Sequence, residues 1–234
     1  MTPGARLVLG IDTAARFGSI ALAEDGTATA WATLQPGEHS SGISLAAERI
    51  LGERNRGWRD LHGVAVSSGP GSFTGLRIGL AWAKGVCFGS KAKLMLVSAH
   101  EANAHRHRLP AGLVATVLQG ERGEVQVALF SSGVVLTRIW GPERVAEGEL
   151  AETLRAKAPS GKPSIAIAGP DLKPELLRSL EQAGYLPARA DALPPVAAAV
   201  AELGDRYLRE GREEDLAQAA PAYGRAPNAR KPSA

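Results

Sequence analysis

The chain is 234 residues long, 44% apolar and 22% charged, which is the composition of a folded globular protein and not of a disordered one. Lysine and arginine number 27 against 24 acidic residues, and the excess of three lies in the last ten residues, where Arg225, Arg230 and Lys231 occur without an acid. The other 224 residues are neutral as a whole, which argues against a broad nucleic-acid-binding face. A single cysteine, Cys87, excludes an internal disulfide and fits a cytoplasmic protein. The sequence has no run of about 18 apolar residues, so no membrane helix is expected.

The first hundred residues predict the order β-β-β-α-β-α-β. Apolar runs predict strands over 7–11, 18–23, 28–34, 63–66 and 94–97, and the Asp25-Gly26 pair predicts a hairpin turn between the second and third. Ser40 or Ser41 can cap a helix that ends near residue 53, and a second helix is predicted over 74–88. This is the strand and helix order of a ribonuclease-H-like domain.

The second half repeats much of that order. Strands are predicted over 113–118, 125–130, 134–139 and 164–168, and helices over 149–157, 174–183 and 195–208. The sequence therefore predicts an α/β protein of two tandem ribonuclease-H-like lobes, the actin/hexokinase/Hsp70 (ASKHA) architecture, with a reduced second lobe. The expected divisions are a first lobe at 1–105, a second at 106–220 and a Pro/Arg-rich, disordered tail at 221–234. A single mixed sheet is the alternative.

Two features could form an anion or nucleotide site. Asp12 closes the first strand, where nucleotide-binding proteins of this architecture hold Mg²⁺, and the Gly-rich turn after the fourth strand leads directly into a helix. The candidate contacts are Asp12, Gly71, Ser72 and Thr74. The matching position in the second half is Gln119, which carries no negative charge for a hard cation. The alternative is that the aspartate caps its own turn and that the Gly-rich segment is simply a tight connection.

The helix over 74–88 has an unusual row of small side chains. Gly75, Gly79, Ala83 and Cys87 recur every four residues and form one ridge. Glycine inside a helix costs about 1 kcal/mol relative to alanine, so the ridge predicts the close approach of another element. That element is either a helix of a partner protein or this chain's own first helix or sheet. If it is a partner, Gly79→Leu should weaken binding without unfolding the chain.

No catalytic or metal-binding residue is predicted. His100 and His105 are five residues apart, about 140° around a helix, so they cannot chelate one ion as a zinc helix does. The segment with His105 and His107 is expected to be a solvated helix end, and Cys87 lies in an apolar helix that disfavours a reactive thiolate.

Several ordered motifs resemble the bacterial TsaB (YeaZ-type) family. The most specific is Gly-Pro-Gly-Ser-Phe-Thr-Gly-Leu-Arg-Ile-Gly at 69–79. Gly-Ile-Asp-Thr at 10–13, His39-Ser40, Gly-Glu-Val at 123–125 and Pro-Ala-Tyr-Gly-Arg at 221–225 match further family elements. The chain departs from the family pattern at 119–122, where Gln-Gly-Glu-Arg stands in place of Asp-Ala-Arg.

The resemblance implies a non-catalytic, cofactor-free subunit. Such subunits bind and activate TsaD, which forms N6-threonylcarbamoyladenosine next to the anticodon of tRNAs that read ANN codons. TsaE, an ATPase, is expected to join this pair. A homodimer is the alternative to the heterodimer with TsaD. The resemblance further implies that tRNA is contacted only through the complex. The implied interface lies on the first helix and the Gly-rich helix, at His39, Ser40, Ile43, Ala47, Ile50, Gly75, Leu76, Gly79, Leu80, Trp82 and Ala83. The rival hypothesis is an enzyme of the same fold, an ATP-dependent phosphotransferase or a glycoprotease-like protein, although the His pair that a glycoprotease requires is missing.

Overall fold

The first sheet is built from five strands of the N-terminal half. The structure is a computed structural model that describes residues 5–37, 42–120, 123–133, 135–159, 164–188 and 193–222. Its first strands are β1 (Leu7–Asp12), β2 (Gly18–Glu24), β3 (Thr27–Leu34), β4 (Gly63–Gly69) and β5 (Lys93–Ser98). Their spatial order is β3-β2-β1-β4-β5, with β1, β2 and β3 antiparallel and β4 and β5 parallel to β1. The predicted hairpin turn is present, because Asp25 and Gly26 have φ angles of 48° and 84°.

The second sheet repeats this arrangement. It contains β6 (Gly112–Gln119), β7 (Glu124–Ser132), β8 (Thr137–Ala146), β9 (Ile165–Ala168) and β10 (Leu186–Pro187). The spatial order is β8-β7-β6-β9-β10, so each sheet places its third, second, first, fourth and fifth strands side by side. The prediction of tandem ribonuclease-H-like lobes is confirmed, and the single-sheet alternative is wrong.

Six α-helices surround the two sheets in the described part of the chain. They are α1 (Gly42–Glu53), α2 (Phe73–Ser90), α3 (Ala99–Arg106), α4 (Leu150–Lys157), α5 (Pro174–Gln182) and α6 (Val196–Arg209). One-turn 3₁₀ helices lie at Trp58–Asp60 and Glu147–Glu149. None of the helices in the described ranges has the length and apolar character needed to cross a bilayer.

The third strand of the second sheet was predicted too short. The predicted strand ended at 139, whereas β8 continues through Gly141 and Pro142 to Ala146. Proline is tolerated here because β8 is an edge strand. Its outward N–H groups form no hydrogen bond with a neighbouring strand, so a missing N–H costs nothing there. Residue 134, the predicted start, lies outside the described residues.

Helix α6 corrects the predicted division of the chain. The expectation assigned residues 106–220 to the second lobe, but α6 packs on the first sheet, opposite α1 and α2. The contact is very close: a Cβ built on Gly10 would lie 2.4 Å from the Ala197 carbonyl oxygen, and one on Gly204 would lie 2.3 Å from the Ala65 Cβ. The Ala-rich helix therefore serves as the second layer of the first lobe, because its small side chains match the small residues of β1 and β4.

The C-terminal segment after α6 also belongs to the first lobe. Glu214 pairs with Leu94 at the edge of β5, and the Ala219 side chain is buried in the same core as α1 and α2. The Ala222 N–H then donates to the Ser68 carbonyl oxygen at 2.7 Å. Residues 221 and 222 are thus held against the body, contrary to the prediction that the disordered tail begins at 221. Residues 223–234 lie outside the described residues.

Candidate functional site

A cleft of about 260 Å³ lies between the two lobes. It is lined from the first lobe by the β1–β2 turn and the Gly-rich loop, and from the second lobe by the end of β6 and the segment after β9. The lining residues that matter chemically are Asp12, Arg16, Gly71, Ser72, Asn103, Gln119 and Asp171. Three of the four predicted anion contacts therefore meet in one cleft. Thr74 is exposed in the first turn of α2 and is not part of the lining.

The Gly-rich loop and the β1–β2 turn are locked together. The Ser72 N–H donates to the Ala14 carbonyl oxygen at 2.8 Å, and a Cβ on Gly71 would lie 2.6 Å from that same oxygen. The Ser72 hydroxyl caps α2 by accepting from the Gly75 N–H at 3.2 Å. Asp12 is buried, and its Oδ1 accepts from the Ala14 N–H at 3.3 Å. Each of these groups has a structural role, and anion binding by them stays a prediction.

Gln119 occupies the place of a second acid and is engaged locally. Its Nε2 donates to Glu147 Oε1 at 3.1 Å, and the same carboxylate oxygen accepts from Lys173 Nζ at 2.8 Å. Hydrogen bonds from Lys173 and Gln119 lower the pKa of Glu147. The nearest acid to Gln119 is therefore held by a lysine and an amide. No group of three or more His, Cys, Asp or Glu side chains suited to a metal ion occurs in the part of the chain that the structure describes.

The small-residue ridge of α2 faces this chain's own first strand. A Cβ on Gly75 would lie 2.0 Å from the Thr13 carbonyl oxygen, and one on Gly79 would lie 2.3 Å from Thr13 Oγ1. Thr13 Oγ1 donates to the Gly75 carbonyl oxygen at 2.8 Å. The own-sheet alternative is thus correct for this ridge, because residue spacing reveals that a close neighbour exists but not which neighbour it is.

Most of the predicted interface residues are consequently inside the protein. The buried ones are Ile43, Ala47, Ile50, Gly75, Leu76, Gly79, Leu80 and Ala83. Trp82 is half-buried and donates its indole N–H to Ser44 Oγ at 2.9 Å, so it ties α2 to α1. His39 and Ser40 lie outside the described residues. These residues form part of the lobe's own core, and their direct contact with a partner stays a prediction.

A second row of small residues lies on the opposite, exposed side of α2. Ala81, Gly85 and Gly89 recur every four residues, and a Cβ on Gly85 or Gly89 would meet no atom within 4 Å. Phe88 beside them is 84% exposed, and Leu45 on α1 is 69% exposed. We call Leu45, Ala81, Gly85, Phe88 and Gly89 the outer face. The four-residue spacing of this row is visible in the sequence. The inner ridge has the same spacing, and the interface was assigned to that ridge instead.

The histidines of α3 are not solvated, contrary to expectation. His100 and His107 are buried, and burial lowers the pKa of each to about 4. The His100 Nδ1 shares a hydrogen bond of 2.8 Å with Thr116 Oγ1 of β6. His105 Nε2 lies 2.8 Å from Glu202 Oε2 of α6. Helix α3 lies between the two lobes, so His100 and His105 find hydrogen-bond partners inside the protein. Burial likewise raises the pKa of Cys87 to about 12, in agreement with an unreactive thiol.

Acid is expected to destabilise the protein below about pH 6.5. For His100 and His107 the folded-state pKa of about 4 lies below the ordinary value of 6.5, so the unfolded chain takes up protons first as the pH falls. Between those values each histidine removes up to about 1.4 kcal/mol of stability per pH unit. Urea unfolding at about pH 7 and about pH 5 measures the loss. His107→Gln should flatten the slope, and a free energy of unfolding that does not change with pH would contradict the buried, neutral histidines.

The comparisons with known proteins agree with the fold. The TsaD family model, tRNA N6-adenosine threonylcarbamoyltransferase, matches residues 35–166. The tRNA threonylcarbamoyladenosine biosynthesis protein TsaB of Escherichia coli K12 is 40% identical over 91 residues, 39% of each chain. The protein of the same name from Bacillus subtilis 168 is 32% identical over 124 residues, 53% of this chain and 54% of that protein. The chain therefore spans 39% and 54% of the length of these two relatives.

A solved structure covers almost the whole chain. It is a Pseudomonas aeruginosa protein described as similar to the peptidase YEAZ, with a TM-score of 0.77 and 21% identity. The superposition covers 94% of this chain and 100% of the other. This structural similarity shows the fold. The family membership rests on the sequence matches.

Proposed function

Because this chain belongs to the TsaD-related bacterial TsaB (YeaZ-type) family, we propose that it is a non-catalytic subunit that binds and activates TsaD. The reaction served is the formation of N6-threonylcarbamoyladenosine next to the anticodon of tRNAs that read ANN codons. TsaE joins the pair, a second copy of this chain can take the TsaD position, and the site of action is the cytoplasm. The observation that carries the proposal is the outer face of α1 and α2.

The outer face has the properties of a helix-packing surface. Helices in contact usually lie 8–10 Å apart, at distances set by the side chains between them, and the bare backbone at Gly85 and Gly89 permits the short end of that range. Phe88 adds exposed apolar area next to Gly89 in sequence, and Leu45 is exposed on α1. A large exposed aromatic side chain beside bare helix backbone suits contact with another protein. Since the inner ridge already packs α2 on its own sheet, the outer face is available for a helix of TsaD.

The cleft supports a subunit without its own phosphotransfer chemistry. Such chemistry needs carboxylates on both lobes to hold a hard cation against phosphate, and an amide, Gln119, stands at the second position. The acid that Gln119 contacts, Glu147, is paired with Lys173. A covalent route through the thiol is disfavoured as well, because the raised pKa of Cys87 keeps it protonated near neutral pH.

Gly85→Leu is expected to weaken TsaD binding by at least about tenfold while leaving the chain folded. The new side chain projects into open space, and leucine forms helix better than glycine by about 0.8–1 kcal/mol, so only the approach of a partner is obstructed. Retention of the chain on tagged TsaD, followed by calorimetry of the purified pair, measures the effect.

The matched control is Gly148→Leu, an exposed glycine of the second lobe that also has open space around its Cβ. It should bind TsaD as the wild type does. Equal affinity of the Gly85 and Gly148 variants would remove the outer face from the interface.

A further inference from the structure

The two helices that carry the outer face stand on different strands of the first sheet. Both bury apolar side chains in one core, but α1 packs on β2 and β3, whereas α2 packs on β4, β1 and β5. The sheet therefore holds each helix separately. The distance and rotation of one helix relative to the other also depend on the side chains that lie between them.

A tryptophan of α2 reaches across to α1. Trp82 donates its indole N–H to Ser44 Oγ, in the first turn of α1, at 2.9 Å. Its ring also meets the ring of Trp58, which follows α1, edge to face, with centroids 5.8 Å apart and planes at 64°. Edge-to-face contact is a preferred arrangement of aromatic rings. Trp82 thus links α2 both to the beginning of α1 and to the segment after its end.

The residues beside this link belong to the outer face. Leu45 follows Ser44 in sequence and is 69% exposed, and Ala81 precedes Trp82 and is exposed as well. A shift or rotation of α1 at this point therefore moves Leu45 relative to the α2 row. Ser44 itself is half-buried and turns its hydroxyl toward α2, so it can act on the outer face without being one of its residues.

We propose that Ser44 is a positioning residue for TsaD binding. By accepting the Trp82 N–H, it holds α1 in the arrangement that presents Leu45 together with the α2 row to one partner helix. This inference rests on the proposed function. Without the acceptor, α1 samples other positions, and the apparent affinity falls by the fraction of chains that keep the competent one. The net contribution of a hydrogen bond changes such an equilibrium by about two- to tenfold.

The test is calorimetric titration of TsaD with the full chain carrying Ser44→Ala. Affinity should fall by about two- to tenfold, and Ser44→Thr, which restores a hydroxyl, should bind nearly as the wild type does. Trp82→Phe keeps an aromatic ring but removes the donor, so it should weaken binding as well. Adding Ser44→Ala to Trp82→Phe should cause no further loss, because the hydrogen bond is already absent.

A second comparison separates positioning from a simple loss of stability. If Ser44 acts through Leu45, Ser44→Ala should not lower affinity further in a chain that already carries Leu45→Ala. Its effect on the urea midpoint should be the same in both backgrounds. The matched control is Ser179→Ala on α5, where the serine hydroxyl donates to the Leu176 carbonyl oxygen at 2.8 Å. This variant should bind TsaD normally.

The outcomes distinguish this inference from the proposed function. Wild-type affinity of Ser44→Ala, or of Leu45→Ala, overturns the positioning role and leaves TsaD binding in place. Equal losses from Ser44→Ala with and without Leu45 also overturn it, because the serine then acts on stability or touches TsaD itself. A wild-type chain that does not bind TsaD overturns the proposed function and the positioning role together.

Discussion

Gly79→Leu is expected to unfold the first lobe at denaturant concentrations that the wild type survives. A Cβ at this position would lie 2.3 Å from Thr13 Oγ1 and 3.4 Å from Val66 Cγ2, and both neighbours are buried. Relief requires α2 to move from the sheet, which breaks the hydrogen bond from Thr13 to the Gly75 carbonyl oxygen. Overpacking costs about 1–3 kcal/mol and an unsatisfied buried hydroxyl a similar amount, so a loss of at least about 3 kcal/mol is expected.

The matched variant is Gly85→Leu, six residues later on the same helix. Its side chain enters open space, and its stability should equal or exceed that of the wild type by up to about 1 kcal/mol. Urea midpoints followed by circular dichroism compare the two. If Gly79→Leu were as stable as Gly85→Leu, the inner ridge would not pack on β1 as described. Any loss of TsaD binding by Gly79→Leu is therefore attributed to unfolding, in contrast to the expectation from sequence.

Asp205→Ala is expected to cost about 2–4 kcal/mol. Asp205 of α6 is fully buried, and its carboxylate binds the Arg6 guanidinium just before β1, at 2.5 and 3.0 Å, and Arg209 Nε at 3.1 Å. Breaking a buried pair costs about 3–5 kcal/mol, but the side chains of Arg6 and Arg209 are 31% and 57% exposed and can regain water. The expected cost is therefore about 1 kcal/mol lower than that range.

An exposed carboxylate at the C-terminal end of the same helix provides the comparison for Asp205. Glu210 lies 3.8 Å from Arg206 and 3.1 Å from Arg212. All three side chains are partly solvated, and Glu210→Ala should cost less than about 1 kcal/mol. Differential scanning calorimetry of the two variants measures the difference. Equal melting temperatures would show that the Asp205 cluster does not hold α6 to the first strand.

The order of strands and helices could be predicted from sequence in both lobes. Apolar runs and turn residues mark each strand, and the repetition of the same order is visible without a structure. The location of α6 could not be predicted. Its apolar stripe indicates that it packs on something, but both sheets offer an apolar face, and the close fit to Gly10 and Ala65 exists only after folding.

Part of the candidate site could also be predicted from the sequence. Matching the ends of the first strand in each lobe places Asp12 and Gln119 in one cleft, as the structure has them. The inner and outer rows of α2 have the same four-residue spacing, so the spacing cannot decide which one is exposed. His107 was expected to be solvated because its neighbours in sequence are polar, whereas the folded chain buries it.

The central claim is that this chain activates TsaD without performing the transfer itself. Its most direct test is the formation of N6-threonylcarbamoyladenosine on tRNA by purified TsaD, TsaE and the threonylcarbamoyl donor, with and without this chain. We expect product to form rapidly only when the wild-type chain is present. Gly85→Leu should lower the rate, and Gly148→Leu should not. Equal rates without the chain, or product formed by the chain in the absence of TsaD, would contradict it.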